Sequence, residues 1–171
     1  MKKQVFILDT SAFLSGKPIQ MSTATLITTP GVSGELRPGG RDFRHFELLQ
    51  EIGLTIHLPS KESLTRVKQT AKETGDDRRL SEADTEVIAL ALDINKDPTQ
   101  EAAILSDDYS IQNVASTLKI KFFGFSQKGI TKKFKWVSRC PGCGKRFTEI
   151  MTICPICGTA TRSSPVRKKN L

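Results

Sequence analysis

The spacing of apolar residues changes repeatedly along the first 124 residues, and these changes predict alternating strands and helices. Short apolar runs bounded by polar residues are typical of buried strands, whereas apolar residues three and four positions apart are typical of amphipathic helices. The predicted strands cover residues 4–8, 26–29, 54–58, 102–106 and 119–123. The predicted helices cover residues 42–52, 60–73, 81–94 and 109–118, and a further helix opens at Pro30 and leads into Glu35.

The clearest of these elements is the helix that follows Ser81. Ser81 and Asp84 have the spacing of a capping box, and Ala83, Val87 and Leu90 begin an apolar stripe at helical spacing. Because strands and helices alternate, we predict an α/β fold with a mainly parallel sheet flanked by helices. No apolar run approaches the ~20 residues of a membrane-spanning helix, so a membrane protein is not expected.

The charged residues divide the chain of 171 residues into two unequal parts. Residues 1–124 carry 15 basic and 17 acidic side chains, whereas residues 125–171 carry 11 basic side chains and a single acid, Glu149. We predict an α/β domain at 1–124, a basic linker at 125–137, a cysteine module at 138–160 and a basic tail at 161–171. The first apolar run ends at Asp9 and is too short for a signal peptide, so a cytoplasmic location is expected.

The cysteine module contains two Cys-x-x-Cys pairs, Cys140 with Cys143 and Cys154 with Cys157, ten residues apart. Tight turns containing Pro and Gly let the two thiolates of each pair bind one ion, and two such turns complete a tetrahedral structural zinc site. A redox pair or a metal-cluster site would also use cysteines, but one redox motif would not explain two equivalent pairs. Disulfides are not expected without a signal peptide. The alternative to a functional role for this module is that it only braces the chain.

Several acidic residues lie where parallel α/β folds bind ligands. Asp9 follows the first predicted strand, and Asp107 and Asp108 follow the strand at 102–106. Ligands in such sheets collect beyond the carboxyl ends of the strands. Glu35 and Asp84 lie early in the segments that follow. Clustered carboxylates favour hard divalent cations such as Mg²⁺ or Mn²⁺. Each acid taken alone is better explained as a turn residue or as a partner for the helix dipole.

Four segments resemble, in order, the acidic motifs of the PIN-domain nuclease family. They are VFILDTSAFL at 5–14, TPGVSGEL at 29–36, LSEADTEVIALAL at 80–92 and ILSDDYSIQNVA at 104–115. The resemblance spans about residues 4–125. Together with the C-terminal zinc ribbon, the four motifs make the chain resemble the Nin-one-binding endonuclease family of archaea and eukaryotes. Within that family, the resemblance is to the archaeal members. DDYSIQNVA is especially characteristic of that family.

This resemblance implies a Rossmann-like PIN domain that hydrolyses RNA with Mg²⁺ or Mn²⁺. The implied function is cleavage of precursor small-subunit ribosomal RNA near its 3′ end during ribosome biogenesis, within the pre-30S or pre-40S particle and with a KH-domain partner. Ser11 and Ser106 match polar positions that orient the acids or the phosphate, or serve as caps. The family pattern selects Asp108 over its neighbour Asp107, although two adjacent aspartates leave that choice open. The implied catalytic acids are Asp9, Glu35, Asp84, Asp107 and Asp108, of which Asp9, Asp84 and Asp108 would bind the cation.

An acidic site repels RNA, so the basic residues are expected to supply RNA binding through phosphate contacts. Phe134, Trp136 and Phe147 lie among them and are able to stack on unpaired bases. For Trp136 and Phe147 a small core for the ribbon is the favoured explanation, because the module has little else to bury. The arginines that follow Glu35 would guide RNA toward the acids or form a solvated face. The predicted RNA-binding residues are Arg37, Arg41, Lys132, Lys133, Lys135, Trp136, Arg139, Lys145 and Arg146.

Other functions compete with a site-specific ribosomal RNA endonuclease. The main alternative is a ribosome-assembly scaffold that binds RNA or protein without cleaving, with a silent PIN domain beside a zinc-ribbon clamp. A toxin-type PIN ribonuclease fits the ribbon and the basic tail poorly. A haloacid-type phosphatase is disfavoured because the segment at Asp9 lacks a second Asp two positions later. His45 and His57 match no motif and are expected to be surface or packing residues.

Overall fold

The computed structural model describes residues 2–17, 19, 24–125 and 132–170, and within these ranges it describes all side chains except those of 132–135, 165 and 167–170. It contains a five-stranded parallel sheet and a three-stranded antiparallel sheet. The first sheet has the order β3-β2-β1-β4-β5. Its strands are β1 (Lys3–Leu8), β2 (Thr25–Thr28), β3 (Thr55–Ile56), β4 (Gln100–Leu105) and β5 (Lys121–Phe123).

Six helices connect these strands in the described part of the chain. They are α1 (Thr10–Leu14), α2 (Pro30–Glu35), α3 (Arg41–Glu51), α4 (Lys61–Thr74), α5 (Glu82–Asn95) and α6 (Tyr109–Thr117). The predicted α/β fold with a parallel sheet flanked by helices is therefore confirmed. Five predicted strands and five predicted helices are present, but the sequence pattern missed α1, whose five residues are too few for a periodic signal.

The hydrophobic core lies between the parallel sheet and its helices. Ile7 and Ile104, which are neighbours in register on β1 and β4, are completely buried. Val87 and Ile88 of α5 are also completely buried, because the helix presents apolar residues around much of its circumference. A continuous core of this kind holds the strand ends in fixed positions, which a site built from several strands requires. Among the described helices, none combines the length and hydropathy that crossing a bilayer requires.

The C-terminal sheet has the order β7-β6-β8, with strands β6 (Lys132–Arg139), β7 (Arg146–Phe147) and β8 (Arg162–Asn170). The segments predicted as a linker and a tail, 125–137 and 161–171, therefore contribute most of two long strands. No strand was predicted in these segments because the basic side chains hid the strand pattern. The strands pair over nearly their whole length, from Lys132 with Asn170 to Arg139 with Arg162.

The C-terminal sheet contacts the α/β domain at the loop after α4. Asp76 in this loop is fully buried and accepts hydrogen bonds from the Thr74 hydroxyl and the Asn113 side-chain amide, both at 2.7 Å. Burial raises the pKa of the Asp76 carboxyl, and these hydrogen bonds offset part of the rise. The guanidinium of Arg79 lies 3.7 Å from the centre of the Trp136 ring. This cation–π contact joins the loop to β6, while the Asp76 carboxylate connects the loop to α6 through Asn113.

The contact between this loop and β6 is closest at Gly75. Replacing Gly75 by Ala is expected to disturb that contact. A β-carbon at Gly75 would lie 2.7 Å from the Trp136 carbonyl oxygen, and the residue has φ +80°. Gly39 has the same φ and nothing within 4 Å. We expect both Gly→Ala variants to lose about 1–2 kcal/mol of stability from the left-handed backbone. Only Gly75→Ala should also change the fluorescence of Trp136, the single tryptophan. An identical spectrum in both variants would contradict the described contact.

Candidate active site and metal centre

The predicted acids meet at the carboxyl ends of β1 and β4, the two central strands of the parallel sheet. Leu8 and Leu105 are in register at these ends, and the Asp9 backbone N–H donates to the Leu105 carbonyl at 3.2 Å. The strand order reverses direction here, since β2 lies on one side of β1 and β4 on the other. Crevices at such a reversal are where open α/β sheets bind ligands.

Asp9 is the centre of this group and is only 3% exposed. Its Oδ2 atom accepts hydrogen bonds from the hydroxyls of Ser106 at 2.7 Å and Ser11 at 2.8 Å. Each hydroxyl also accepts a backbone N–H from the loop after β4, that of Asp108 at Ser106 and that of Asp107 at Ser11. The two serines therefore orient the Asp9 carboxylate and connect it to the loop after β4. The structure favours this role over that of a simple turn residue.

Asp84 approaches the same point from α5. Its side chain accepts the Ser81 backbone N–H at 2.7 Å and completes the predicted capping box, which fixes the carboxylate at the start of the helix. Burial raises the pKa of the Asp84 carboxyl, and the charges of Asp9 and Asp108 raise it further. Burial also raises the pKa of Asp9. The effect of Asp9 and Asp108 on Asp84 is consistent with three carboxylates that lie near one another.

Glu35 lies beside this group at the end of α2. Its Oε2 accepts a hydrogen bond from the Thr10 hydroxyl at 2.5 Å. Thr10, the residue after Asp9, therefore positions the Glu35 carboxylate. The helix itself is anchored on α5 by Glu86, whose carboxylate accepts the Gly31 backbone N–H at 2.8 Å. Sequence analysis missed both contacts. Their partners are 25 and 55 residues apart, and nothing local in the sequence indicates such pairs.

The two adjacent aspartates after β4 have different surroundings. The Asp107 carboxylate accepts the Phe125 backbone N–H at 2.6 Å, near the end of the α/β domain. The Asp108 carboxylate accepts the Ser110 N–H and so caps α6. Its negative charge, like that of Asp9, adds to the effect of burial in raising the pKa of Asp84. Within the described residues, Asp9, Asp84 and Asp108 form no ion pair with a basic side chain. No described basic side chain therefore compensates these charges, and an all-oxygen donor set of this kind suits a hard divalent cation.

The four cysteines form the second cluster. Their sulfur atoms all lie within 4.8 Å of one another, and in the described residues no other set of three or more potential ligands is so tightly grouped. Cys140 and Cys154 are buried, whereas Cys143 and Cys157 are exposed. This arrangement is suited to one metal ion coordinated by four thiolates.

The two halves of the cluster have matching backbone turns. The Cys140 N–H donates to the Lys145 carbonyl and the Cys154 N–H to the Thr159 carbonyl, both at 2.9 Å. Gly144 and Gly158 occupy the left-handed positions of these turns, with φ of +73° and +71°. Hydrogen bonds with Thr159 lower the pKa of the Cys157 thiol to about 6, whereas at Cys143 the Lys145 backbone hydrogen bond is outweighed by burial and the other three cysteines, which raise the pKa of that thiol to about 11.

Comparisons with known proteins agree with this arrangement. A family model described as the PIN domain of ribonuclease matches residues 6–94, which include Asp9, Glu35 and Asp84. The chain belongs to this family of PIN-domain ribonucleases. It is therefore an enzyme of the nuclease class, as the sequence motifs predicted.

Relatives of this PIN-domain chain carry ribonuclease names. "Endoribonuclease Nob1" of Pyrococcus abyssi is 37% identical, and the match covers 98% of each chain. "Endoribonuclease Nob1" of Archaeoglobus fulgidus is 36% identical over 91% of this chain and 88% of that protein. "Ribonuclease VapC1" of Thermoplasma acidophilum is 35% identical over 98% of this chain and 81% of that protein. The resemblance to archaeal Nin-one-binding endonucleases is thus confirmed, and these matches extend beyond the PIN domain through the cysteine module.

The predicted RNA-binding residues lie in two places. Arg37 is exposed between α2 and α3, and Arg41 is exposed at the start of α3, both close in sequence to Glu35. Arg139 and Arg146 are exposed on the C-terminal sheet, and Lys145 is exposed in the first cysteine turn. The side chains of Lys132, Lys133 and Lys135 lie outside the described residues.

Trp136 does not have the surroundings expected of a base-stacking residue. One face of its ring is covered by Arg79, and Gly75 packs against its backbone and β-carbon. In this arrangement Trp136 attaches the C-terminal sheet to the PIN domain. His45 contacts Phe13 through an edge-to-face ring contact, and His57 contacts Thr55, so both histidines are packing or surface residues as predicted.

Proposed function

We propose that this PIN-domain nuclease is an endoribonuclease that cleaves precursor small-subunit ribosomal RNA near its 3′ end, within the assembling particle and beside a KH-domain partner. The observation that carries the nuclease part is the convergence of Asp9, Asp84 and Asp108 at one strand edge. The ribosomal substrate is supported by the motifs around these acids and by relatives named endoribonuclease Nob1 that match nearly the whole chain.

Each acid has a distinct role in this proposal. Asp9, Asp84 and Asp108 would hold one or two Mg²⁺ or Mn²⁺ ions, with Glu35 beside them and the Asp107 carboxylate bonded to the backbone instead. When bound, such a cation supplies positive charge that lowers the cost of negative charge developing on the phosphate and activates water. Ser11 and Ser106 keep the Asp9 carboxylate in one orientation.

The cysteine cluster would hold one structural Zn²⁺. Four thiolates leave no open coordination position, so this ion would brace the C-terminal sheet rather than take part in hydrolysis. Residues 1–124 would then be the catalytic domain, and the basic part from residue 125 onward would bind RNA. We propose a cytoplasmic location, which follows from the ribosomal substrate.

The deciding experiment incubates the full chain with a precursor small-subunit RNA fragment and maps any cut in Mg²⁺, Mn²⁺ or a chelator. The matched control RNA ends at the mature 3′ end, and Asp84→Asn is the control protein. We expect one metal-dependent cut near the 3′ end of the precursor alone. Binding without cleavage in every ion would instead support the assembly scaffold.

A second candidate function is a ribonuclease of the toxin type. The match to the protein named ribonuclease VapC1, over 98% of this chain, is the observation that favours it. The same experiment separates the two functions when an unrelated RNA of equal length is added. Equal cleavage of that RNA and of the precursor would support the second function over the first.

The packing of α2 on α5 provides a test of how the acids are positioned. A β-carbon at Gly31 would lie 2.9 Å from the Ala83 backbone and 2.7 Å from Glu86, whereas one at Gly34 on the same helix would meet nothing within 4 Å. Gly31→Ala should therefore displace α2, which carries Glu35, and cost about 1–3 kcal/mol. Gly34→Ala should be neutral or stabilising by about 0.5–1 kcal/mol.

Cleavage rates and thermal unfolding of both variants check this expectation. Displacing a residue of the active site by a small distance slows the reaction strongly. We therefore expect the rate of cleavage by Gly31→Ala to fall at least about tenfold. Gly34→Ala should match the unmodified protein. Equal rates in both variants would show that the position of α2 does not matter for the reaction.

A further inference from the structure

A groove of about 350 Å³ lies between α4 and α5 of the PIN domain. Lys68 and Lys72 line it from α4, and because they are four residues apart they lie on the same face of that helix. Asp77, in the loop after α4, and Glu82, the first residue of α5, line it from the connection between the helices. We call this space the α4–α5 groove. Its volume is at the lower end of the range for sites that bind small ligands.

The charged side chains around the α4–α5 groove do not neutralise one another. Both lysines and both acids are exposed, and none of the four forms an ion pair within the described residues. Two lysines four residues apart on a helix also repel each other slightly, which a bound anion would offset. The groove therefore presents cations and carboxylates separately. Such a lining matches a ligand that carries both negative charge and hydrogen-bond donors.

The remaining lining of the groove is mainly apolar. Ala71 is buried and Leu80 is half-buried, and both line the groove between the charged groups. A nucleotide combines the three parts that this lining would recognise. Its phosphate suits lysine ammonium groups, the face of its base suits an apolar surface, and an amino group on the base edge donates to a carboxylate.

The α4–α5 groove opens directly beside the acids of the active site. Ser81 lines the groove, and its backbone N–H donates to the Asp84 carboxylate at 2.7 Å. The Ser81 hydroxyl in turn accepts the Asp84 N–H at 3.1 Å. Thr85, the residue after Asp84, lines the groove as well. A ligand in the groove therefore lies next to a carboxylate of the proposed cation site.

We propose that the α4–α5 groove binds the nucleotide beside the phosphate that is cleaved, with Lys68 and Lys72 at its phosphate and Asp77 at the amino group of its base. That this nucleotide belongs to precursor ribosomal RNA rests on the proposed function. Cytosine presents an amino group where uracil presents a carbonyl oxygen, which a carboxylate repels. The nuclease therefore selects an amino-bearing base next to the cut, a preference that the acids and their cation alone would not provide.

Base selection is tested by binding to the full chain carrying Asp84→Asn, which keeps the RNA intact. The probes are two short RNAs of equal length and charge, one made only of cytidine and one only of uridine. We expect the cytidine RNA to bind at least about fivefold more tightly, which is the lower end for a good base contact. Asp77→Ala should bring this ratio close to one. The control is Glu73→Ala, which removes an exposed acid of α4 outside the groove and should keep the ratio. Equal affinities for the two RNAs, or an unchanged ratio in Asp77→Ala, would overturn the proposal.

The phosphate contact is tested with the same RNAs over a range of salt concentrations. Lys68→Gln/Lys72→Gln should weaken both RNAs and lower the salt slope by about 0.7 for each phosphate contact that is lost. The control is Lys61→Gln/Arg66→Gln, two exposed cations of α4 that do not line the groove. An equal decrease of the slope in both pairs, or none in the first, would overturn the phosphate contact.

Cleavage then tests whether the bound nucleotide belongs to the substrate. Each base beside the mapped cut in the precursor is changed in turn to cytosine and to uracil. We expect one position at which uracil slows cleavage at least about fivefold in the unmodified protein but not in Asp77→Ala. Inhibition by free cytidine monophosphate without such a position would assign the groove to a free nucleotide and overturn the proposal. If the unmodified protein does not cleave the precursor, the proposed function fails, while the binding ratios still test the groove.

Discussion

Replacing Asp84 by Asn is expected to reduce RNA cleavage by at least about 10²-fold while leaving the fold intact. The carboxylate lies close enough to Asp9 and Asp108 for their charges to raise its pKa, so it belongs to the proposed cation site. Each 1.4 kcal/mol of lost transition-state stabilisation lowers the rate tenfold, and a cation supplies several kcal/mol. An amide oxygen can still accept the Ser81 N–H, so the helix keeps its cap.

The stability of this variant should change in a characteristic way. Because burial and neighbouring charges raise the pKa of Asp84 in the folded state, the ionised side chain destabilises the fold as pH rises through that pKa. Asp84→Asn should therefore be as stable as the unmodified protein, or more stable, at neutral pH without divalent ions. Any advantage should disappear below the ordinary carboxyl pKa of 3.8, where both forms are neutral.

Divalent ions should make the unmodified protein more stable than Asp84→Asn. A cation at 100 times its dissociation constant stabilises a folded protein by about 2.7 kcal/mol, which corresponds to several degrees in Tm. We expect Mn²⁺ to raise the Tm of the unmodified protein and of Glu82→Gln, an exposed acid on the same helix, but much less that of Asp84→Asn. Wild-type cleavage rates or an equal Mn²⁺ shift in Asp84→Asn would refute the assignment.

The sequence predicts most of the PIN domain because its elements carry their own periodic signals. The helix at α5 has a capping box and an apolar stripe, and the strand at β1 is a buried apolar run. Asp9, Asp84 and Asp108 could be named as candidates because each follows a strand or lies in the first turn of a helix, which parallel topology places at one edge. Local pattern indicates such candidates, but whether they meet depends on the packing of the whole domain.

Contacts between distant segments could not be predicted in this way. Ser106 donates to Asp9 across 97 residues, and Glu86 holds Gly31 across 55. Such pairs depend on the packed geometry and leave no periodic trace in a single sequence. The strands β6 and β8 were missed for a different reason, because alternation among lysines and arginines does not distinguish a buried face from an exposed one.

Loss of the cysteine-bound metal is expected to have the second large effect. Among the described side chains after residue 131, the buried apolar ones are Val137, Cys140 and Cys154, which make too small a core to hold three strands. Structural zinc contributes about 10–16 kcal/mol in zinc-finger peptides, and that energy is coupled to folding. Cys154→Ser should therefore abolish stoichiometric zinc binding and unfold the C-terminal sheet, while the PIN domain keeps its own core.

The consequence for RNA is a sharp loss of affinity with a flattened salt dependence, because the exposed Arg139 and Arg146 of the C-terminal sheet no longer have a fixed geometry. Fluorescence of Trp136 should move toward that of an exposed indole, since its contacts with Gly75 and Arg79 depend on β6 being in place. Ser163→Ala, which lies on the same sheet but outside the cysteine turns, is the control and should retain zinc. If Cys154→Ser keeps one zinc per chain and its salt slope, the cluster does not organise the RNA-binding surface. If it loses zinc but keeps both the slope and the Trp136 spectrum, the sheet folds on strand pairing and its contact with the PIN domain alone.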